Sequence, residues 1–422
     1  MTEGPDKINV FLHYGYFPDA KVTLPDSLRL WIDNYSFHED FKNANEADLI
    51  IKGANALRKN FNLEIANDYD KTHVVPLSGG LDSRTILANL LEQLDPSRIL
   101  TVTFGRPGSP DFERARSIAR KADVKWEAID LSPGKWKWDT DMLVNTAKRS
   151  ELPTRLFDTT VNHAIQEKFG KDSIYWSGFM GDSLGCLEPI SKSIKNWEEA
   201  RKAFVKRNCF PKKTRLTKMD FNPCNCLPAK PIVPPEKLDY YSQLNHLIRQ
   251  QCLTKHIYSP RGYDIRYPFL NHEWVKFILN VPSNYNFRQV LYRKIQRSYW
   301  PHLFNSWNSP FRDSSKWESF KHRRRRNLIE KQIRKAFPRL GLKLGADKSV
   351  KYIDWNFALL NQSDFKSVIY SNLQDLKARK IIDWLDIEKL WIYNQNSKKG
   401  LAFGFMTLAA LELHLKAKTI VI

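Results

Sequence analysis

The sequence predicts an α/β protein, a parallel sheet of Rossmann type with a largely helical C-terminal part. Two observations predict it. Apolar runs of strand length alternate with segments of helical period over residues 72–183, and strands joined through helices form parallel sheets with right-handed crossovers. Beyond residue 190 the periodic segments are mainly helical and rich in aromatic residues.

Each element has a local reason. Residues 74–77, Val-Val-Pro-Leu, make a short apolar first strand. The chain breaks at Gly79 and Gly80 and leaves through Thr85-Ile86-Leu87-Ala88-Asn89-Leu90-Leu91, which has the spacing of an amphipathic helix. Residues 99–104 form a second strand. A turn at Gly108 and Pro110 leads into a helix over 111–122, begun by Asp111, with Phe112, Ala115, Ile118 and Ala119 on one side. Strands over 124–131 and 173–178 follow, the last ending at Gly178. Ligands of such sheets sit at the carboxyl ends of the strands, so the loops after Leu77, Phe104 and Trp176 should face one another.

Residues 191–235 lose this order and read as a basic, proline-bearing loop or insertion. Cys224 and Cys226 within it are one residue apart, and with Cys209 or Cys252 they give only a weak zinc signal, because zinc hooks usually space their cysteines by two. Unpaired thiols are the plainer reading. The expected division is an N-terminal extension over 1–65, a nucleotide-binding core over 66–190 and a mainly helical remainder over 191–422.

The turn Ser78-Gly79-Gly80-Leu81-Asp82-Ser83 carries the chemistry. Its glycines allow close backbone approach, its serines add hydroxyls, and the helix that follows offers N–H groups with partial positive charge. The expected guest is a phosphate or pyrophosphate. Asp82 is out of place beside a polyanion unless a divalent cation lies between them, which makes it a candidate Mg²⁺ ligand. A helix-capping turn is the bland alternative.

Composition narrows the class. A chain of 422 residues with 42% hydrophobic and 13% aromatic residues can bury a large core and is not disordered. No apolar run is long enough to cross a bilayer, and the N-terminus lacks the basic-then-apolar order of a secretory signal, so a cytoplasmic location and no membrane partner are expected. Five cysteines, an odd and sparse set, argue against a disulfide framework. Lysine and arginine exceed aspartate and glutamate by 67 minus 46, a net charge of +21 that can steer an anionic partner, whether ATP, nucleic acid, a glycan or an acidic carrier. The densest basic run, residues 321–326, reads first as a solvated helical face and second as a polyanion-docking patch.

The 78–83 turn resembles the PP-loop of ATP pyrophosphatases, which split ATP into AMP and pyrophosphate, and lacks the Gly-x-x-x-x-Gly-Lys pattern of a Walker A loop. Pro107-Gly108-Ser109-Pro110-Asp111 and Ser177-Gly178-Phe179-Met180-Gly181-Asp182-Ser183 resemble the corresponding segments of asparagine synthetase, as does Arg266-Tyr267-Pro268-Phe269-Leu270-Asn271. Residues 11–18 resemble the linker ahead of that family's synthetase domain. The resemblance implies a HUP-like fold that binds ATP and Mg²⁺. It places the phosphates on Leu77, Ser78, Gly79, Gly80, Leu81, Asp82 and Ser83, the adenine on the backbone of Thr103, Phe104 and Gly105, and further contacts on Gly178 and Phe179. Asp82 and Asp182 become the metal ligands.

Three departures shape the functional reading. No cysteine precedes Cys186, so the family's N-terminal glutaminase is expected to be absent, and the nitrogen must come from free ammonia, another amine or a separate protein. Phe179 and Ser183 stand where the family has glutamates, one of which lies by the activated aspartate. An aromatic ring takes no proton, which argues against asparagine as product and, by analogy with relatives that close β-lactam rings or lasso peptides, for a different acceptor. The family's Arg-x-Lys-x-x-Phe lysine has no counterpart in residues 306–311; Arg312, Lys316 and Lys294 are the candidate replacements. The reading is an AMP-forming ligase that adenylates a carboxylate and passes the acyl group to an amine, with Asp82, Asp182, Arg312 and Lys316 as catalytic candidates. Alternatives are a PP-loop enzyme that modifies tRNA or DNA, and a non-catalytic nucleotide-binding protein.

Overall fold

The structure, a computed structural model, describes residues 5–18, 25–33, 44–184, 189–286, 289–304, 353–397 and 400–422. Five parallel strands form one sheet: β1 (His73–Pro76), β2 (Ile99–Gly105), β3 (Lys125–Asp130), β4 (Ile174–Trp176) and β5 (Asp264–Arg266), in the order β3-β2-β1-β4-β5. Val74 lies in register with Leu100 on one side and Tyr175 on the other. The order reverses between β1 and β4, because β2 and β3 build outward from one edge of β1 and β4 and β5 from the other. Such a switch point opens a crevice at the carboxyl ends of the two central strands.

The central strand is buried on both faces, which is why it reads as an unbroken apolar run rather than an alternating one. Val75 faces a cluster with Leu57, Phe61, Leu87 and Trp274, whereas Val74 faces Ile165 and Tyr175. The helix Leu81–Leu91 is covered nearly all round. Trp176 stacks on Phe61 with ring centroids 5.3 Å apart, and its indole donates to His73 Nδ1 at 3.0 Å, so β4 is fixed to the start of β1. The helix Leu156–Phe169 packs on the second face.

The described parts of the first 65 residues join these cores. The helix Glu46–Ile65 contributes Leu57 and Phe61 to the sheet's main cluster, and Tyr14 and Tyr16 pack against Phe204 and Tyr241 in a third. The C-terminal helices Ser363–Ala378 and Ala402–Lys416 bury Phe365 and Phe405 with Trp138 and Phe157. No helix among the described residues is long and apolar enough to cross a membrane.

Two features go beyond the sequence expectations. Residues 191–235 are not one loop, since a helix runs Trp197–Asn208, capped by the Asn196 side chain accepting from Glu199 N. A fifth strand, β5, joins the four expected, its Tyr175↔Ile265 pairing carrying the sheet past β4. The basic run 321–326 lies outside the described residues.

Candidate functional site

The loop after β1 and the loop after β4 meet across the switch point, walling a cleft of about 500 Å³. On the β1 side, Ser78 N donates to Ser83 Oγ at 3.1 Å and Gly80 N donates to Ser78 Oγ at 3.1 Å. These two hydroxyls fix the loop's bend before the helix begins. Gly79 packs closely on the next helix: a Cβ there would fall 2.7 Å from Asp111 Oδ1 and 3.1 Å from Arg114 Cδ, so those side chains would have to shift. Thr103 Oγ1 donates to Leu77 O at 2.9 Å and accepts from Trp126 Nε1 at 3.0 Å, which ties β2 and β3 to the entrance of the loop.

On the β4 side, Gly181 N donates to Gly178 O at 3.2 Å, closing a four-residue turn. Met180 occupies its third position at φ 69°, a left-handed conformation that glycine or asparagine usually takes. The strain is held by burial of Met180 and by the bond from Leu184 N to Met180 O at 3.0 Å. Phe179 is buried against Tyr267, ring centroids 5.9 Å apart.

The two loops lock through Asp82. Its Oδ2 accepts from Asp182 N at 3.2 Å and its Oδ1 from the Tyr292 hydroxyl at 3.0 Å. A Cβ on Gly181 would lie 2.6 Å from Asp82 Cγ, and one on Gly178 3.1 Å from Asp82 Cβ, so both glycines exist to let the carboxylate approach. Burial first, and the Asp182 charge second, push the Asp82 carboxyl well above the usual carboxylate range. Burial and the Asp82 charge raise Tyr292 in turn, which keeps its hydroxyl a donor.

A carboxylate so disfavoured fits a divalent cation, whose charge would offset both the burial and the repulsion. Among the described residues no three His, Cys, Asp or Glu side chains converge on a metal position. Asp82 and Asp182 are the two carboxylates of this pair of loops that could hold such an ion. Among the described residues no cluster that could hold zinc is found, and Cys209 and Cys224 are free thiols.

Of the residues expected from sequence, Leu77, Ser78, Gly80, Asp82, Ser83, Thr103, Phe104, Gly178, Phe179 and Asp182 line the cleft. Gly79, Leu81 and Gly105 do not line it but shape its wall: Leu81 is buried in the main cluster, and Gly105 O accepts from Leu131 N at 3.0 Å. Arg312 and Lys316 lie outside the described residues. Lys294 is paired with Glu46 and does not line the cleft. Arg266 binds Asp264 at 2.7 Å and Asp68 at 2.9 Å, so it ties β5 to the chain entering β1.

Sequence reasoning missed the opposite wall. Asn162 and Gln166 reach the cleft from the helix Leu156–Phe169, and Arg249, Gln250 and Thr254 from an i→i+5 helix, Leu244–Thr254. The π-helix is rare, and its usual single-turn form is frequent at functional sites. Arg249 is half-buried and has no carboxylate partner among the described residues, and Thr254 Oγ1 is buried without a hydrogen bond.

The asparagine synthase family model matches residues 68–154. This core is asparagine synthetase-like. The matched segment runs from the approach to β1 through the PP-loop, β2 and β3. Its family is one of ATP-dependent ligases and amidotransferases. No curated protein matches the chain.

Proposed function

We propose that this protein is an AMP-forming ligase: it adenylates a carboxylate and transfers the acyl group to ammonia or another amine. The observation that carries the reading is the convergence of the PP-loop and the Asp182 loop on Asp82 at the switch point, one on each side of a cleft of about 500 Å³. That volume suits a nucleotide with a small acyl group beside it.

The triphosphate lies on Ser78, Gly79, Gly80 and Ser83, with the adenine along the backbone of Thr103, Phe104 and Gly105. Mg²⁺ on Asp82 and Asp182 supplies charge neutralisation for the pyrophosphate. The acyl substrate lies toward Asn162, Gln166 and Arg249, the polar side chains of the wall that faces the PP-loop. An oxygen of its carboxylate attacks the α-phosphorus; the bond to the β-phosphate oxygen breaks and the electron pair leaves with pyrophosphate. An amine then attacks the acyl carbon, AMP departs, and the amine's proton passes to solvent. Phe179, buried and apolar, takes no part in that proton transfer.

The test is to incubate the protein with MgATP and carboxylates labelled with ¹⁸O. Label appearing in AMP, with pyrophosphate released, supports the scheme; ADP as the nucleotide product overturns it.

A further inference from the structure

The family's lysine element has no counterpart in residues 306–311, but the PP-loop is flanked by two arginines. From the helix Leu81–Leu91, Arg84 is 1% exposed; its Nη2 donates to Gly79 O at 3.2 Å and its Nη1 to Leu303 O at 3.2 Å. The guanidinium lies 5.1 Å from the centre of the Phe304 ring. From the helix Pro110–Lys121, Arg114 lies against Gly79 on the side where a Cβ would point. Its only carboxylate partner among the described residues is Asp111, at 3.8 Å.

Two arginines therefore stand around one turn, with Asp111 held loosely beside one of them. Burial and the Arg114 charge lower Arg84 to about 10, which still leaves it protonated at neutral pH. Arginine does not escape such crowding by losing its proton, so the pair is relieved by an anion. Asp111, which lines the cleft, is too distant from Arg114 for a good hydrogen bond. Under the reading above, the leaving pyrophosphate arrives at this turn.

We propose that Arg114, set against Gly79 and backed by the buried Arg84, is the cation that takes up charge on the departing pyrophosphate, in place of the family lysine. Arg84 is the positioning residue, since two of its nitrogens are committed to backbone carbonyls. Arg114 is the catalytic one: its side chain is a quarter exposed, and its Nη1 lies 3.8 Å from Asp111, which lines the cleft where Arg114 itself does not. As the bond to the β-phosphate breaks and its electron pair moves onto pyrophosphate, a preorganised cation there is worth more to the products' charge than to the bound AMP. The inference rests on the AMP-forming reading.

The experiment is calorimetric titration of the full chain with magnesium pyrophosphate, MgATP and AMP. Arg114→Ala should weaken pyrophosphate at least tenfold, about 1.4 kcal/mol, and AMP less than twofold, with partial recovery in Arg114→Lys. Asp111→Asn, which removes the competing carboxylate, should tighten pyrophosphate. Unchanged pyrophosphate binding in Arg114→Ala, an equal loss for AMP, or a loss in Asp111→Asn matching that of Arg114→Ala would each overturn the proposal, the last by showing a purely structural pair. If the unaltered protein binds neither MgATP nor pyrophosphate, the reading of the whole cleft falls; if it binds both and Arg114→Ala behaves alike, only the role of the arginine falls.

Discussion

Gly181→Ala tests whether the position of Asp82 governs the site. The φ of Gly181 is not in the left-handed region, so alanine meets no backbone strain there and the effect is steric. The added Cβ would stand 2.6 Å from Asp82 Cγ and 2.7 Å from its Oδ1, where ordinary contact begins at 3.4 Å. One side must retreat by roughly 1 Å, a misplacement that can cost a hundredfold in rate. The fold should give less, since overpacking of this kind costs about 1–3 kcal/mol. The expected outcome is a MgATP affinity down by an order of magnitude, AMP formation down by two, and a melting temperature a few degrees lower. If Gly181→Ala binds and cleaves MgATP as the unaltered protein does, the carboxylate's close seating has no bearing on catalysis and the metal assignment loses its geometric basis.

Other perturbations probe separate parts of the cleft. Tyr292→Phe removes the donor 3.0 Å from Asp82 Oδ1, a hydrogen bond to a charged group worth about 1.5–3 kcal/mol; MgATP should bind at least tenfold more weakly by calorimetry. The raised Asp82 carboxyl contributes stability below the ordinary carboxylate range and loses it as pH rises through its elevated value, so the metal-free protein should melt lower at pH 7 than at mildly acid pH. Asp182→Asn relieves part of that repulsion and should raise the metal-free melting temperature at pH 7 while weakening MgATP; scans with EDTA and with MgATP read both signs. Arg249→Met should raise the KM for the acyl substrate ten- to a hundredfold at unchanged ATP affinity, by loss of a charge-assisted contact. Gly404→Ala, in a helix remote from the cleft with its nearest neighbour at 3.9 Å, should add about 0.5–1 kcal/mol of stability in denaturant titration and leave activity alone.

What the sequence revealed follows the range of the interactions. The PP-loop, the four longer-patterned strand segments and the Asp182 loop are legible because glycines, hydroxyls and apolar runs act on their immediate neighbours. The β5 strand is not, since Asp264-Ile265-Arg266 is three residues long, two of them charged, and exists by pairing with β4. The helix Trp197–Asn208 had a usable signal in Asn196 and Glu199, a capping pair inside a stretch otherwise dominated by basic and proline residues. Tyr292 gave none: it reaches Asp82 across 210 positions of chain, and nothing local distinguishes it from any tyrosine on an apolar helix face. Arg249 was hidden for a similar reason, because the i→i+5 winding that turns it toward the cleft is a tertiary outcome.

The bond between Tyr292 and Asp82 also has a bearing on synthesis. A ribosome-bound chain displays residues 78–83 long before the helix Val290–Tyr299 emerges, so Asp82 lacks its Tyr292 partner through much of translation. The seat of Asp82 is therefore complete only once the distal helix has docked, and under the proposed function a truncated product lacking that helix should cleave ATP poorly.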